Sequence, residues 1–320
     1  METKQWYETF MDTLHKKFSK KTQLTQSLMD VLSLEREAVY RRLRNEVPFS
    51  SDEIIKIVSA WNISLDEITG CHSDQYSFQM KIVNYLDPSL EEQMFLRKVI
   101  DSIRFFQNSP DAELMDICNK VPHSLLAGFE NLNHYYMFKW KYLYGNPNDV
   151  APFSQVVMSD AEKQLMADYY SALKLIPNTS FIWDNKIFEY LITDIQFFHS
   201  ICLITDEEKE LIKKDLYRLL DYMQEVASKG CYPETGNKVN LYISQLNLET
   251  NYTYTLAPEA NICFIIVFEI YEIFSFNTEI VSNFMTWMQL KKRTATQISE
   301  VDEMNRIKFF NKQRQFINSL

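Results

Sequence analysis

Residues 36–44 include several side chains that can each form more than one hydrogen bond. The polar side chains on one face of this segment are Arg36, Glu37, Tyr40, Arg41 and Arg44. A guanidinium group presents a planar fork of donors that matches the O6 and N7 acceptors of guanine, and a carboxylate accepts from the amino group of cytosine. Such a set on one short helix favours contact with base edges in the major groove of DNA.

The pattern around these residues predicts two short helices joined by a tight turn. Leu24, Leu28 and Val31 have the i, i+4, i+7 spacing of one helix face. A second helix is expected over 35–44, with the polar set on its outer side. Its apolar inner side holds Ala38, Val39 and Leu43. Ser33 lies in the expected turn, and its hydroxyl is expected to cap the second helix.

Several features of residues 24–69 occur together in a fixed order. They are Leu28 late in the first helix, the turn at Ser33, Val39 six residues later, Pro48, a helix over 51–61, and the closing residues Ile63-Ser64-Leu65-Asp66-Glu67-Ile68. In this order they resemble the Cro/CI-type (XRE-like) class of bacterial helix-turn-helix regulators. Met29 and Ser33 stand where that class usually has a small residue and a glycine.

The resemblance implies a role for each part of the motif. The expected motif core is Leu28, Val39, Leu43, Ile54 and Trp61. The expected contacts to DNA phosphates come from Lys21, Thr25 and Gln26. Base contacts are expected from Arg36, Glu37, Tyr40, Arg41 and Arg44. The partner would be double-stranded DNA, bound by a homodimer, because one recognition helix reads only a few base pairs.

The net charge of −10 appears to oppose DNA binding, so its distribution matters. Between His15 and Asn45 the chain has eight basic and three acidic residues. Attraction to DNA depends on the field within about 8–10 Å of the contact, not on the charge of the whole chain. The motif is therefore expected to be locally positive in an acidic protein.

Composition predicts a cytoplasmic globular protein. In 320 residues, 46% are hydrophobic and 14% aromatic, which is enough for a substantial core. The five cysteines are scattered, as in proteins of a reducing compartment. We find no signal-peptide pattern, and the longest apolar run, 262–268, is too short to cross a bilayer.

The predicted fold is mainly α, with two domains. Residues 1–70 form a helix-turn-helix DNA-binding domain of about five helices, 71–76 form a linker, and 77–320 form a larger α+β regulatory and dimerisation domain. A small antiparallel sheet is expected near the C-terminus. Its expected strands lie in 239–244, 252–255 and 262–276, and the expected helices of this domain lie in 78–86, 90–106, 111–119, 123–144, 159–176, 183–203, 205–229, 278–292 and 299–318. Thr205 with Glu208 predicts a capping box.

The larger domain offers one candidate ligand site. Aromatic residues crowd 135–144, and Tyr135, Tyr136 and Trp140 are candidates to line a pocket for a small-molecule or peptide effector. The alternative is that these rings belong to a central core helix. A second apolar stripe, Phe95, Val99, Ile103 and Phe106, must also be buried against something.

Other functions have less support in the sequence. No phosphate-binding glycine loop, zinc-protease helix or nucleophile elbow is present, so we expect no enzyme activity, no cofactor and no metal. One alternative is a protein-interaction adaptor that uses the helix-turn-helix fold without binding specific DNA. A weaker one is an uncharacterised enzyme domain tethered to DNA.

Overall fold

The computed structural model divides the chain into two compact units, Met1–Ser77 and Phe78–Leu320. It describes residues 3–18, 20–61, 63, 65–69, 78–81, 96–97, 99–101, 103–104, 107–145, 148, 150–257, 261–269 and 271–320. The expected linker over 71–76, and Phe95 and Phe106 of the predicted stripe, lie outside these residues.

The first unit is helical. Its described helices are α1 (Thr3–Lys17), α2 (Lys21–Leu32), α3 (Arg36–Leu43), α4 (Ser51–Trp61) and α5 (Leu65–Thr69). They enclose a core whose most buried members are Phe10, Leu14, Leu24, Leu28, Val39 and Ile57. The Tyr7 hydroxyl in α1 accepts a hydrogen bond from the Phe49 backbone N–H at 2.9 Å, which ties α1 to the loop before α4.

The described residues of the second unit form an eight-stranded mixed sheet. Its strands are β1 (Gln79–Lys81), β2 (Glu113–Cys118), β3 (Asn178–Trp183), β4 (Lys238–Ser244), β5 (Tyr252–Leu256), β6 (Ile262–Val267), β7 (Tyr271–Ser275) and β8 (Ala295–Gln297). Their order across the sheet is β1-β7-β6-β5-β2-β3-β4-β8. The central strands β2, β3 and β4 are parallel, and each other pairing is antiparallel.

Helices cover both faces of this sheet. They are α6 (His123–Leu126), α7 (Glu130–Tyr144), α8 (Asp160–Leu173), α9 (Ile187–Ser200), α10 (Asp206–Lys229), α11 (Thr278–Lys291) and α12 (Glu303–Asn318). Helices α6, α7, α9, α10 and α12 share a core with Phe181 and Trp183 of β3. Helix α11 packs with Ile182, which points to the opposite face because side chains alternate along a strand.

The expectation of a mainly α chain is confirmed, but the sheet is not small. Helix was expected over 111–119, where β2 lies, and over 78–86, where 79–81 form β1. The sequence reading also missed β3, and the expected single strand over 262–276 is the hairpin of β6 and β7. Five of the six residues in each of β2 and β3 are buried, so these strands lack the polar alternation by which strands are recognised.

The capping box predicted at the start of α10 is confirmed. The Thr205 hydroxyl accepts from the Glu208 N–H, and the Glu208 carboxylate accepts from the Thr205 N–H. Among the described residues, no helix combines the length and hydrophobicity needed to cross a membrane.

Candidate nucleic-acid interface

The turn between α2 and α3 has the backbone conformation that a glycine would favour. Ser33 ends α2 with φ 54° and ψ 42°, in the left-handed region. The expectation that the Ser33 hydroxyl caps α3 is wrong, because the N-cap of α3 is Glu35 and its side chain makes no capping hydrogen bond. Ser33 therefore contributes to the turn through its backbone, at the position where the resembled class has glycine.

Helix α3 has a buried inner side and an exposed outer side. Val39 is fully buried, and Leu43 packs partly buried against the same core. The other expected core residues behave similarly: Leu28 and Ile54 are buried, and Trp61 packs against the cluster at its edge. Packing of this kind fixes the orientation of α3, so its outer side chains are held in a defined direction.

The outer side of α3 carries exposed charges that pair weakly with one another. Arg44 contacts Glu37 at 3.0 Å and Glu46 at 2.8 Å, while Arg41 lies 3.6 Å from Glu46. The Arg36 guanidinium lies 5.6 Å from the centre of the Tyr40 ring. The Arg41 and Arg44 side chains are 56% and 54% exposed. Such surface ion pairs contribute about 0–1 kcal/mol each, so an anionic ligand can replace them at little cost.

Arg42 has a structural role that the sequence did not reveal. Its guanidinium forms a two-pronged contact with Glu53 at 2.9 and 2.7 Å and donates to the Ala38 carbonyl at 3.1 Å. Glu53 also accepts from the Ser50 N–H at the start of α4. Burial alone would raise the pKa of Glu53, but the Arg42 hydrogen bond and charge, with the Ser50 N–H, hold it below its usual range. Arg42 thus joins α3 to α4 and is not available to DNA.

The three expected phosphate contacts divide by exposure. Lys21, the first residue of α2, and Gln26 are exposed. Thr25 is only 2% exposed, and its hydroxyl donates to the Lys21 carbonyl at 2.9 Å. The expected phosphate contact from Thr25 is therefore withdrawn, because the side chain is inside the bundle with its donor already used.

The charge around this surface is mixed. Residues 1–77 contain ten basic and twelve acidic residues. In the described structure, Arg41, Arg42 and Arg44 each have a glutamate within 4.0 Å. The local positive charge is therefore more fully compensated than the count of basic residues predicts.

The expected effector pocket on α7 is filled by protein. Tyr135 and Trp140 are 1% and 3% exposed and belong to the packed interior. Tyr136 stacks on His123 with ring centres 3.9 Å apart. These rings form core packing, which is the alternative that the sequence left open. The structure has a cleft of about 450 Å³ elsewhere in the second unit, lined by Asp111, Leu256, Ala257, Asn261, Thr278, Val281, Ser282 and Met285.

The described part of the chain does not assemble a metal site. Within the described ranges, no group of three or more His, Cys, Asp and Glu side chains is arranged to hold a metal ion. Asp116, in the centre of β2, is 7% exposed, and burial raises its pKa to about 6. The sequence reading missed Asp116, because it placed this residue on a helix.

We compared the chain with known proteins in three ways. No protein-family model, curated protein or solved structure matches it.

The backbone of Ser33 allows a test of the turn. Ser33→Gly is expected to raise the free energy of unfolding by about 0.5–1 kcal/mol, because relief of left-handed strain exceeds the added entropy of glycine in the unfolded chain. Ser27→Gly, inside α2, is the matched control and is expected to lower it by a similar amount. Chemical denaturation measures both, and a loss of stability in Ser33→Gly would contradict the left-handed turn.

Proposed function

We propose that this protein is a sequence-specific DNA-binding transcriptional regulator that acts as a homodimer. The observation that supports this best is the construction of α3. Its back, at Val39, is fully buried, while Arg36 and Arg41 are exposed on its front, directly after a left-handed turn. A short helix presented in this way has the width and donor chemistry that the major groove accepts.

The proposed contacts follow from exposure. Arg36 and Arg41 approach base edges, with Glu37, Tyr40 and Arg44 beside them. Lys21 and Gln26 lie on α2, and they contact phosphates, which orient the protein without selecting a sequence. On binding, a phosphate or a guanine replaces Glu37 and Glu46 as the partner of the arginines. This exchange carries a small penalty, because the pairs it breaks are exposed to water.

The second unit would supply dimerisation and control. Two recognition helices must reach half-sites about 34–36 Å apart, which requires that a second copy of the chain is held in a fixed position. A small-molecule or peptide effector remains part of the proposal, but the packing of Tyr135 and Trp140 moves its expected site away from α7. The cleft between β5 and α11 is the alternative location.

The rival function is a protein-interaction adaptor. It is favoured by the acidic excess of residues 1–77 and by the glutamates that face Arg41 and Arg44. An adaptor of this kind would bind a protein surface and would show no preference among DNA sequences.

Selection of binding sites from a random DNA pool at physiological salt separates the two functions. The full-length regulator is expected to enrich a short motif repeated as two half-sites with two-fold symmetry. Recovery of sequences no different from the starting pool would favour the adaptor.

Lys21 provides a test of the phosphate contact. Lys21→Ala is expected to weaken binding to all DNA sequences alike. It should also reduce the slope of log affinity against log salt concentration by about one unit, because one fewer counterion is released on binding. Lys56→Ala removes the same charge from the exposed side of α4 and is the control, with an unchanged slope. A change in sequence preference in Lys21→Ala would mean that its role is assigned wrongly.

A further inference from the structure

The ion pair between Arg42 and Glu53 is shielded from water, unlike the neighbouring pair of Arg44 and Glu46. The side chains of the first pair are 17% and 16% exposed, whereas those of the second are 54% and 47% exposed. Two guanidinium nitrogens of Arg42 donate to the two carboxylate oxygens of Glu53, at 2.9 and 2.7 Å. Such a two-pronged bond fixes the direction of the two groups as well as their distance. The pair can therefore set the angle between α3 and α4.

Each of these two side chains is also bonded to the backbone of its own helix. The Glu53 carboxylate accepts the Ser50 N–H at 2.9 Å, and the Ser50 hydroxyl accepts the Glu53 N–H at 3.3 Å. These are the reciprocal bonds of a capping box at the start of α4. Arg42 donates to the Ala38 carbonyl, one turn earlier in α3, at 3.1 Å. The bond between Arg42 and Glu53 therefore joins two helices, because each side chain is held by its own backbone.

The start of α4 is itself fixed within the first unit. Phe49, next to Ser50, is buried, and its backbone N–H donates to the Tyr7 hydroxyl of α1 at 2.9 Å. The Phe49 ring packs edge-on against Phe10 of the same helix, with ring centres 5.9 Å apart. Glu53 is thus a fixed point to which α3 is attached.

Helix α3 needs such an attachment because it is short. The structure describes all eight of its residues, and Val39 is the buried one. Apolar contact is non-directional, so Val39 sets which side of α3 faces the core but limits a tilt of the helix only weakly. Arg36 lies about 9 Å from Arg42 along the helix axis, so a tilt of about 10° at Arg42 would move Arg36 by about 1.5 Å. A recognition contact tolerates a displacement of only about 0.5 Å.

We propose that Arg42 and Glu53 are positioning residues for DNA recognition, and that the bond between them determines how strongly the protein distinguishes one DNA sequence from another. Neither residue contacts DNA. The bond holds α3 at the angle at which Arg36 and Arg41 reach base edges together, each through two hydrogen bonds. Contacts to phosphates depend mainly on charge, so they tolerate the same tilt and carry no sequence information. This role rests on the proposed function and deepens it, because it places the control of sequence preference outside the DNA-contacting surface.

Glu53→Gln tests this role, with Asp52→Asn as the matched control. Each change replaces one carboxylate in the first turn of α4 with an amide and alters the net charge equally, but Asp52 is exposed. Fluorescence anisotropy with the full-length protein at physiological salt measures the affinities for the selected site and for a scrambled site. Glu53→Gln is expected to lower the ratio of these affinities about ten- to a hundredfold, equivalent to the loss of one two-pronged base contact. Asp52→Asn should keep the wild-type ratio.

Arg42→Lys is the second variant, and it keeps the positive charge. A lysine can still contact Glu53 at one point but lacks the planar fork, so the ratio is expected to fall about tenfold. The affinity for the scrambled site and its salt dependence should stay unchanged, because both follow from charge. Partial unfolding of the first unit would lower both affinities by the same factor, so the ratio responds to the angle of α3 and not to the folded fraction.

The outcomes separate this role from the proposed function. A wild-type ratio in either Glu53→Gln or Arg42→Lys would overturn the positioning role and leave the reading of DNA by α3 intact. An equal fall in Asp52→Asn would also overturn it, because charge alone would then explain the effect. A ratio near one in the wild-type protein would overturn both the positioning role and the proposed function.

Discussion

Asp116→Asn is expected to stabilise the protein by about 3 kcal/mol at pH 7. Asp116 lies in the buried strand β2, and its Oδ1 atom has no hydrogen-bond partner among the described residues. Burial raises its pKa from 3.8 to about 6, while a hydrogen bond with Thr253 opposes this rise in part. A shift of about two pKa units corresponds to about 3 kcal/mol, which folding loses when the carboxylate is charged.

The stabilisation by Asp116→Asn is expected to depend on pH. Because the folded pKa is higher than the unfolded one, the folded state binds the extra proton between pH 4 and 6. The contribution of Asp116 to the free energy of unfolding should therefore fall as pH rises from about 4 to about 6 and stay low above that. The advantage of Asp116→Asn should be full at pH 7 and close to zero near pH 4.

Asp184 provides the control for this substitution. It is also buried, but its carboxylate accepts backbone N–H groups from Lys186 at 2.8 Å and Leu248 at 3.2 Å. Asp184→Asn replaces an accepting oxygen with a donor and should lower the free energy of unfolding at pH 7. Urea denaturation at pH 4 and pH 7 measures both variants. A destabilised Asp116→Asn at pH 7 would show that the carboxylate is charged and well paired in the fold.

The double variant Arg36→Ala/Arg41→Ala is expected to abolish specific DNA binding. A bidentate arginine contact to guanine discriminates against other bases by about 1–3 kcal/mol, so losing both should cost about 2–6 kcal/mol. Both side chains are exposed on α3, so the fold should be unaffected. Fluorescence anisotropy with the selected site and with a scrambled site measures the loss.

Two controls separate this effect from loss of charge or of fold. Lys56→Ala removes an exposed basic charge from α4 and should retain specific binding. Arg42→Ala should instead destabilise the first unit, because it leaves Glu53 half-buried without its partner. If Arg36→Ala/Arg41→Ala kept full preference for the selected site, α3 would not be the reading helix.

Helical periodicity predicted the first unit well. The helix expected over 51–61 is observed with the same ends, and α2 contains the predicted Leu24 to Val31 face. The position of the turn at Ser33 was predicted. The left-handed backbone conformation of Ser33 was not predicted, because a serine in the sequence does not indicate it. The contact between Arg42 and Glu53 was also missed, because it joins residues eleven positions apart on different helices.

The second unit was harder to predict, for reasons of burial. β2 and β3 pair with each other in the middle of the sheet, so both of their faces are covered and periodicity is lost. α10 was predicted correctly because Thr205 and Glu208 mark its start. The structure shows that Gly230 follows its last residue in a left-handed conformation. The aromatic residues of α7 indicated burial, but a sequence does not distinguish a core from the wall of a pocket.

The most direct test is the ratio of affinities for a selected DNA site and a scrambled site of equal length, measured with the full-length protein at physiological salt. Recognition by α3 predicts a ratio of about a thousand or more, which the Arg36→Ala/Arg41→Ala variant reduces to near one. Equal affinities of the wild-type protein for the two sites, or no binding to either, would contradict the proposed function.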